Sequence, residues 1–193
     1  MNTLFHGAAN TAAAVRLRRR WHWLRPRTVL WASVIPDVPL FLLSLWYFWR
    51  YEIGFGPRYD ELFYENPIWV IGHNLFHAPI ITVMIGLVGW AMWRQGGSPR
   101  RGTFLLSFSF GTTLHTLVDI PTHHHDGPLL LFPFDWTIRY TSPISYWDPA
   151  YGGRVMFPID LGLTLAFTVY LLLAWWRARR RAAQAAGSRD LMY

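Results

Sequence analysis

His115-Thr-Leu-Val-Asp119-Ile-Pro-Thr-His123-His124-His125-Asp126 closes an otherwise apolar run that begins near Gly102. His115 and Asp119 stand four residues apart, so on a helix they share one face. A ring nitrogen and a carboxylate on one face are a ready pair of ligands for zinc or a similar ion. Three more histidines follow within ten residues. Histidine and aspartate are expensive inside a membrane-length segment, which makes a functional site the expectation there.

The composition sets the surroundings. The chain has 193 residues, 52% of them apolar, and twelve tryptophans. Long apolar runs with abundant tryptophan point to a membrane protein with an interfacial aromatic belt. Cysteine is absent, which removes disulfides and thiolate ligands. Any metal must therefore be held by His, Asp, Glu or water. The basic residues are all arginine, and the net charge is +7. Such a charge fits a nucleic-acid partner, but its distribution does not. The arginines flank apolar segments, at 16–27, 94–101 and 177–189, with only Arg50, Arg58, Arg139 and Arg154 elsewhere. That is the pattern of cytoplasmic helix ends, so no nucleic acid is expected. The first fifteen residues are not expected to be a signal peptide, because the positive charge follows the mildly apolar stretch.

The expected fold is all-α, a polytopic membrane protein with four transmembrane helices, an N-terminal amphipathic helix and a long outer loop. Residues 1–24 suit a basic helix lying on the inner membrane surface. The spans fall at about 28–49, 67–93, 102–122 and 155–176, within one integral-membrane domain over 1–185. Residues 186–193 are expected to be a disordered tail. Both termini are then cytoplasmic, in a bacterial inner membrane. Pro36 and Pro39 flank Asp37 inside the first span. Proline breaks helices, and broken helices at membrane depth line polar cavities, so Asp37 is expected to face a site. Residues 50–66 form a polar, acidic outer loop. His73 and His77 repeat the four-residue spacing in the second span, without the glutamate of a zinc-protease helix. Residues 123–154 are expected to form an ordered lid, and Asp160 stands near the outer end of the last span.

The candidate metal ligands are His6, Asp37, His73, His77, His115, Asp119, His123 and His125, with His124 an alternative within its run. Asp37, Asp119 and His125 are the candidates for moving protons, and Arg139 for holding a phosphate. A mixed histidine and carboxylate set suits zinc, with manganese or iron next. One ion with an open position activates water, and two bridged by a carboxylate such as Asp119 clamp a phosphoryl group. The expected activity is a membrane-embedded, metal-dependent hydrolase of a phosphoester or lipid at the outer face, whose partner is a membrane lipid or lipid-linked substrate. A non-catalytic metal-binding or metal-transport protein is the alternative, and a haem protein with paired histidines a third.

An N-terminal histidine, Pro36-Asp37, a paired-histidine motif and His115-x-x-x-Asp119 followed by proline resemble the YdjM-like, LexA-binding family of inner-membrane-associated metal-dependent hydrolases. The resemblance runs from His6 to about Trp147. The family's paired motif, His-Arg-Gly-x-Thr-His-Ser, is replaced here by His73-Asn-Leu-Phe-His77-Ala, one residue shorter. His115, Asp119 and His125 are also similar in spacing to the zinc-dependent phospholipase C and single-strand nuclease superfamily. That likeness implies a metal-bridging Asp119, with His115 and His125 on different ions.

Overall fold

The computed structural model describes residues 1–51, 54–96 and 98–190, with side chains described as far as Ala185. It is an all-α bundle. In chain order its helices are α1 (Thr3–Leu17), α2 (Pro26–Ala32), α3 (Asp37–Arg50), α4 (Pro57–Glu65), α5 (Pro67–Asn74), α6 (Pro79–Arg94), α7 (Pro99–Thr122) and α8 (Gly153–Asp190). Proline opens α2, α4, α5, α6 and α7, where its missing N–H costs nothing.

Helix α7 is the axis. It packs along α6, joined to it by a short turn, and α2 lies across it. Glycine makes both contacts close. A Cβ at Gly89 would come within 2.8 Å of the α7 backbone at Leu106, and one at Gly102 within 2.6 Å of the α6 backbone at Trp93. At Gly111 a Cβ would meet Ala32 at 2.7 Å and the Val29 carbonyl at 2.9 Å. Small residues of this kind are how helices approach where hydrophobic burial gives little drive.

Helix α1 departs from the expectation. It does not lie on a surface but packs against α2, α7 and α8. His6, Asn10 and Thr11 are buried beside Gly7, Ala12 and Ala14, while Leu4 is exposed. Small side chains let α1 enter the bundle, and its polar groups find partners there: Asn10 donates to Ser33 Oγ at 3.0 Å. Asp160, fully buried on α8, accepts from the Asn2 side chain and ties the start of α1 in place. The first residue therefore lies beside Asp119, at the far end of α7 from Arg100 and Arg101. The arginine-rich end of α1 lies near the start of α7, where the Arg25 guanidinium donates to Thr103 at 2.6 Å.

Two segments are long and apolar enough to cross a membrane, Pro26–Arg50 and Gly153–Ala185, and a third counts if α5 and α6, bent by 50°, are one broken span. The expected four spans thus become two or three. Helix α7 has the length but not the hydropathy, because its buried side carries Ser107, Ser109, Thr112, His115, Thr116, Asp119 and Thr122. The stretch expected to be a polar outer loop, 50–66, also holds a helix. Tyr59 and Phe63 of α4 bury against Tyr47 and Trp69. Residues 123–152 pack on the bundle, with Leu129 and Phe132 seated against Val70 and Ala78. Residues 191–193 of the expected tail lie outside the described residues.

Candidate metal centre

Two helix breaks and one continuous helix build the site. The first apolar segment turns at 33–36, so Asp37 stands in the first turn of α3. The second breaks after Asn74 and leaves His77 between α5 and α6. Asn74 fastens that break: its Nδ2 donates to the Val70 carbonyl at 2.8 Å, and its Oδ1 accepts from the Leu129 N–H at 2.7 Å. His115 and Asp119 project from one face of unbroken α7.

Asp37, His77, His115 and Asp119 each offer one ligand atom to a group whose members all lie within 4.8 Å of one another. His115 Nε2 is 3.0 Å from His77 Nε2, 2.9 Å from Asp119 Oδ2 and 3.4 Å from Asp37 Oδ1. His77 Nε2 is 3.2 Å from Asp37 Oδ1 and 3.6 Å from Asp119 Oδ2. A tetrahedral ion with ligand bonds of about 2.0–2.1 Å has ligand-to-ligand edges of about 3.3 Å. The observed separations bracket that value.

The outer ring nitrogens settle the tautomers. His115 Nδ1 lies 2.9 Å from the Ser33 carbonyl, and His77 Nδ1 lies 2.5 Å from the His73 carbonyl. A carbonyl only accepts, so both Nδ1 atoms carry a proton, and each Nε2 presents a lone pair inward when its ring is neutral. A backbone carbonyl holding the outer N–H is the usual support of a ligating histidine. Two lone pairs facing each other at 3.0 Å repel unless a cation or proton lies between them. Thr116 adds a hydrogen bond to the His77 carbonyl at 2.7 Å, and the Thr3 hydroxyl donates to Asp37 Oδ2.

The remaining candidates are placed less directly. His6 is fully buried and stacks on His115, with ring centroids 3.8 Å apart. Its Nε2 lies 2.9 Å from Asp119 Oδ1 and 3.2 Å from the Met1 carbonyl. Both neighbours accept, so Nε2 carries the proton and His6 orients the carboxylate. His123 Nε2 lies 3.5 Å from the same oxygen. Its Nδ1 contacts Asp126 at 3.0 Å as a charge pair, without the direction of a hydrogen bond. Burial opposes protonation of His123, but Asp119 and Asp126 outweigh it and raise the imidazole to about 9. Burial likewise opposes ionisation of Asp126, yet His123 and the Trp147 indole hold it at about 2.

His73 is not in the ligand group. It is buried beside Phe63 and His77, and both ring nitrogens lack a partner. An unmet buried donor costs about 1–3 kcal/mol. His125 is exposed and lies against His124 and Tyr151, away from the centre. His124 stacks on Tyr151 and donates to the Ser142 carbonyl. Arg139 donates to the Gly127 carbonyl and covers Phe63 and Tyr64, and Asp160 serves Asn2.

A cavity of about 550 Å³ adjoins the ligands, with Asp37, His73, His77, Asp119 and His123 on its wall. Sequence reasoning missed the Ser33 carbonyl and Thr3, since neither a backbone acceptor nor a lone threonine carries a spacing signal. It also missed α4, although Pro57 after Gly56 and Tyr59 four residues before Phe63 are the marks of a short helix. Compared with protein families, curated proteins and solved structures, the chain matches none.

Proposed function

We propose that the protein is a membrane-embedded, metal-dependent hydrolase of a phosphoester or lipid substrate, with one divalent ion, zinc first, held by His77, His115 and Asp119 and its fourth position left to water beside Asp37. The observation that carries this reading is the pair of Nε2 atoms converging at 3.0 Å beside two carboxylates, each ring fixed by a carbonyl behind it. An ion there would lower the pKa of water to about 7 and polarise an ester oxygen. The residues divide the remaining work. Asp119 is 4% exposed, anchored on its second oxygen by His6, and acts as a fixed ligand. Asp37 lines the cavity with a side chain 28% exposed, and is the carboxylate placed to accept a proton from the attacking water.

The adjoining cavity favours chemistry over storage or transport, since a site that only holds an ion needs no room for a second molecule. In this reading α7 is a fourth crossing whose polar side is covered by α1, α2 and α6. The arginine-rich ends face the cytoplasm, and the centre opens toward the outer face. The resemblance to the YdjM-like family belongs to the proposal and supports it only through the residues that converge here.

Elemental analysis of detergent-purified protein tests the reading. Wild type is expected to carry close to one zinc, manganese or iron per chain, and Asp119→Ala almost none. Two ions per chain would place the second on Asp119 Oδ1, against His6 and His123. No metal in wild type overturns the reading.

A further inference from the structure

The cavity beside the ligands has two unlike ends. At one end stand the metal-binding group and His73, 5% exposed, with both ring nitrogens unpartnered. An imidazole always carries at least one N–H, so a buried donor faces a cavity without an acceptor. The other end is aromatic. Phe48, Phe55 and Tyr59 form one wall, with ring centroids 5.5 Å apart for Phe48 and Phe55 and 4.8 Å for Phe55 and Tyr59. The only hydroxyl of that wall is already used, since Tyr59 Oη pairs with Ser44 Oγ at 2.7 Å. These three side chains therefore present mainly rings, while Asp60 and Tyr64 of α4 also line the cavity. Leu40 and Phe41 of α3 complete the lining. Phe41 and Phe55, 66% and 73% exposed, stand at its rim. Phe41 stands on α3, within a candidate membrane span, so its side of the rim opens where hydrocarbon would lie. The volume is within the range of about 300–1,000 Å³ that takes a small organic ligand.

We infer that this cavity binds an amphiphile that enters from the bilayer side, with its polar head between His73 and the metal centre and its hydrocarbon chain along Leu40, Phe41, Phe48 and Phe55. His73 donates a hydrogen bond to the head group and positions the reacting bond. It does not hold the ion. The inference takes the position of that bond from the hydrolase reading above, but the aromatic groove and the His73 donor stand on their own geometry.

The test uses the full chain, zinc-loaded, in lipid nanodiscs. The probe is dodecylphosphonate bearing a photoactivatable diazirine at its chain end, which cannot be hydrolysed. Crosslinks mapped by mass spectrometry are expected on the segment 40–55. Unlabelled dodecylphosphonate should compete them away, and methylphosphonate at the same concentration should not. His73→Ala should keep its zinc and lose about five-fold in labelling, the scale of one hydrogen bond, while His73→Gln, which keeps a donor, should restore most of it. Crosslinks confined to the outward faces of α6 and α8, or untouched by competitor, would overturn the inference. So would loss of zinc in both His73 variants, because His73 would then serve the ion. Competed groove labelling in a protein that hydrolyses no phosphoester leaves the groove standing and removes the hydrolase reading. Turnover without groove labelling does the reverse.

Discussion

At the scale of single residues, the centre separates groups that bind from groups that hold the binders. His77 and His115, when neutral, point lone pairs inward because carbonyl oxygens take their outer protons. His6 points a proton at Asp119 and has no lone pair on that nitrogen to offer. Replacing His6 by alanine is therefore expected to weaken zinc binding about 10–100-fold, the usual effect of losing a supporting group. His77→Ala or His115→Ala should weaken it further, because each removes a ligand. Competition titration with a zinc-binding dye ranks the three variants, and equal losses in all of them would make His6 a ligand. Asp126 supplies a pH signature. Its carboxyl is held at about 2 against burial, by His123 and by the Trp147 indole. A depressed carboxyl contributes stability that is fully present above the ordinary value of about 3.9. That stability is lost as pH falls through about 2. The stability difference between wild type and Asp126→Asn should stay constant from neutral pH to about pH 4. It should then shrink on further acidification, as followed by chemical denaturation. A difference that vanishes already at pH 5 would show that Asp126 is not held by these contacts.

At the scale of elements, the ligands meet because helices break in two places and approach closely in a third. The turn at 33–36 exposes the Ser33 carbonyl to His115, and the break after Asn74 swings His77 toward α7. Both depend on α2 and α6 lying tight against α7, which the glycines at 89, 102 and 111 allow. Gly111→Val would drive a side chain into Ala32 and the Val29 carbonyl. Overpacking of this kind costs about 1–3 kcal/mol. Because Ser33 follows directly on the helix that would be displaced, the variant is expected to lose metal affinity as well as stability. Parallel thermal unfolding and metal titration check the pairing. A variant that unfolds at the wild-type temperature with full metal content would show that this contact does not position the centre.

At the scale of the molecule, the centre stands at one end of the bundle, and the arginine-rich ends stand at the other. The exposed apolar residues of α8, among them Leu161, Leu165 and Leu172, are what a bilayer would cover. The chain has no cysteine, so single cysteines report their side of the membrane cleanly. With four crossings, Tyr140→Cys is expected to react with an impermeant maleimide on intact cells. Ser98→Cys and Gln184→Cys should react only after permeabilisation. Equal labelling at 98 and 140 would show that α7 does not cross.

Much was legible along the chain because it depends on local spacing and composition. The all-α class follows from apolar runs of helical length. The pairing of His115 with Asp119 follows from the helical period of about 3.6 residues. The importance of Asp37 follows from the two prolines beside it. What only the tertiary structure decided depends on contacts between distant residues. His73 and His77 share a spacing but not a role, because the helix ends between them. His6 reaches Asp119 from near the start of the chain and His123 from four residues beyond it, while His125, only two residues past His123, faces away. Helix α1 looked like a surface helix from its arginines, yet its small residues and the Asn2–Asp160 bond draw it into the bundle. Spacing along a chain sets which side chains can share a face. Which faces meet, and which carbonyl takes which proton, is set by how the helices pack.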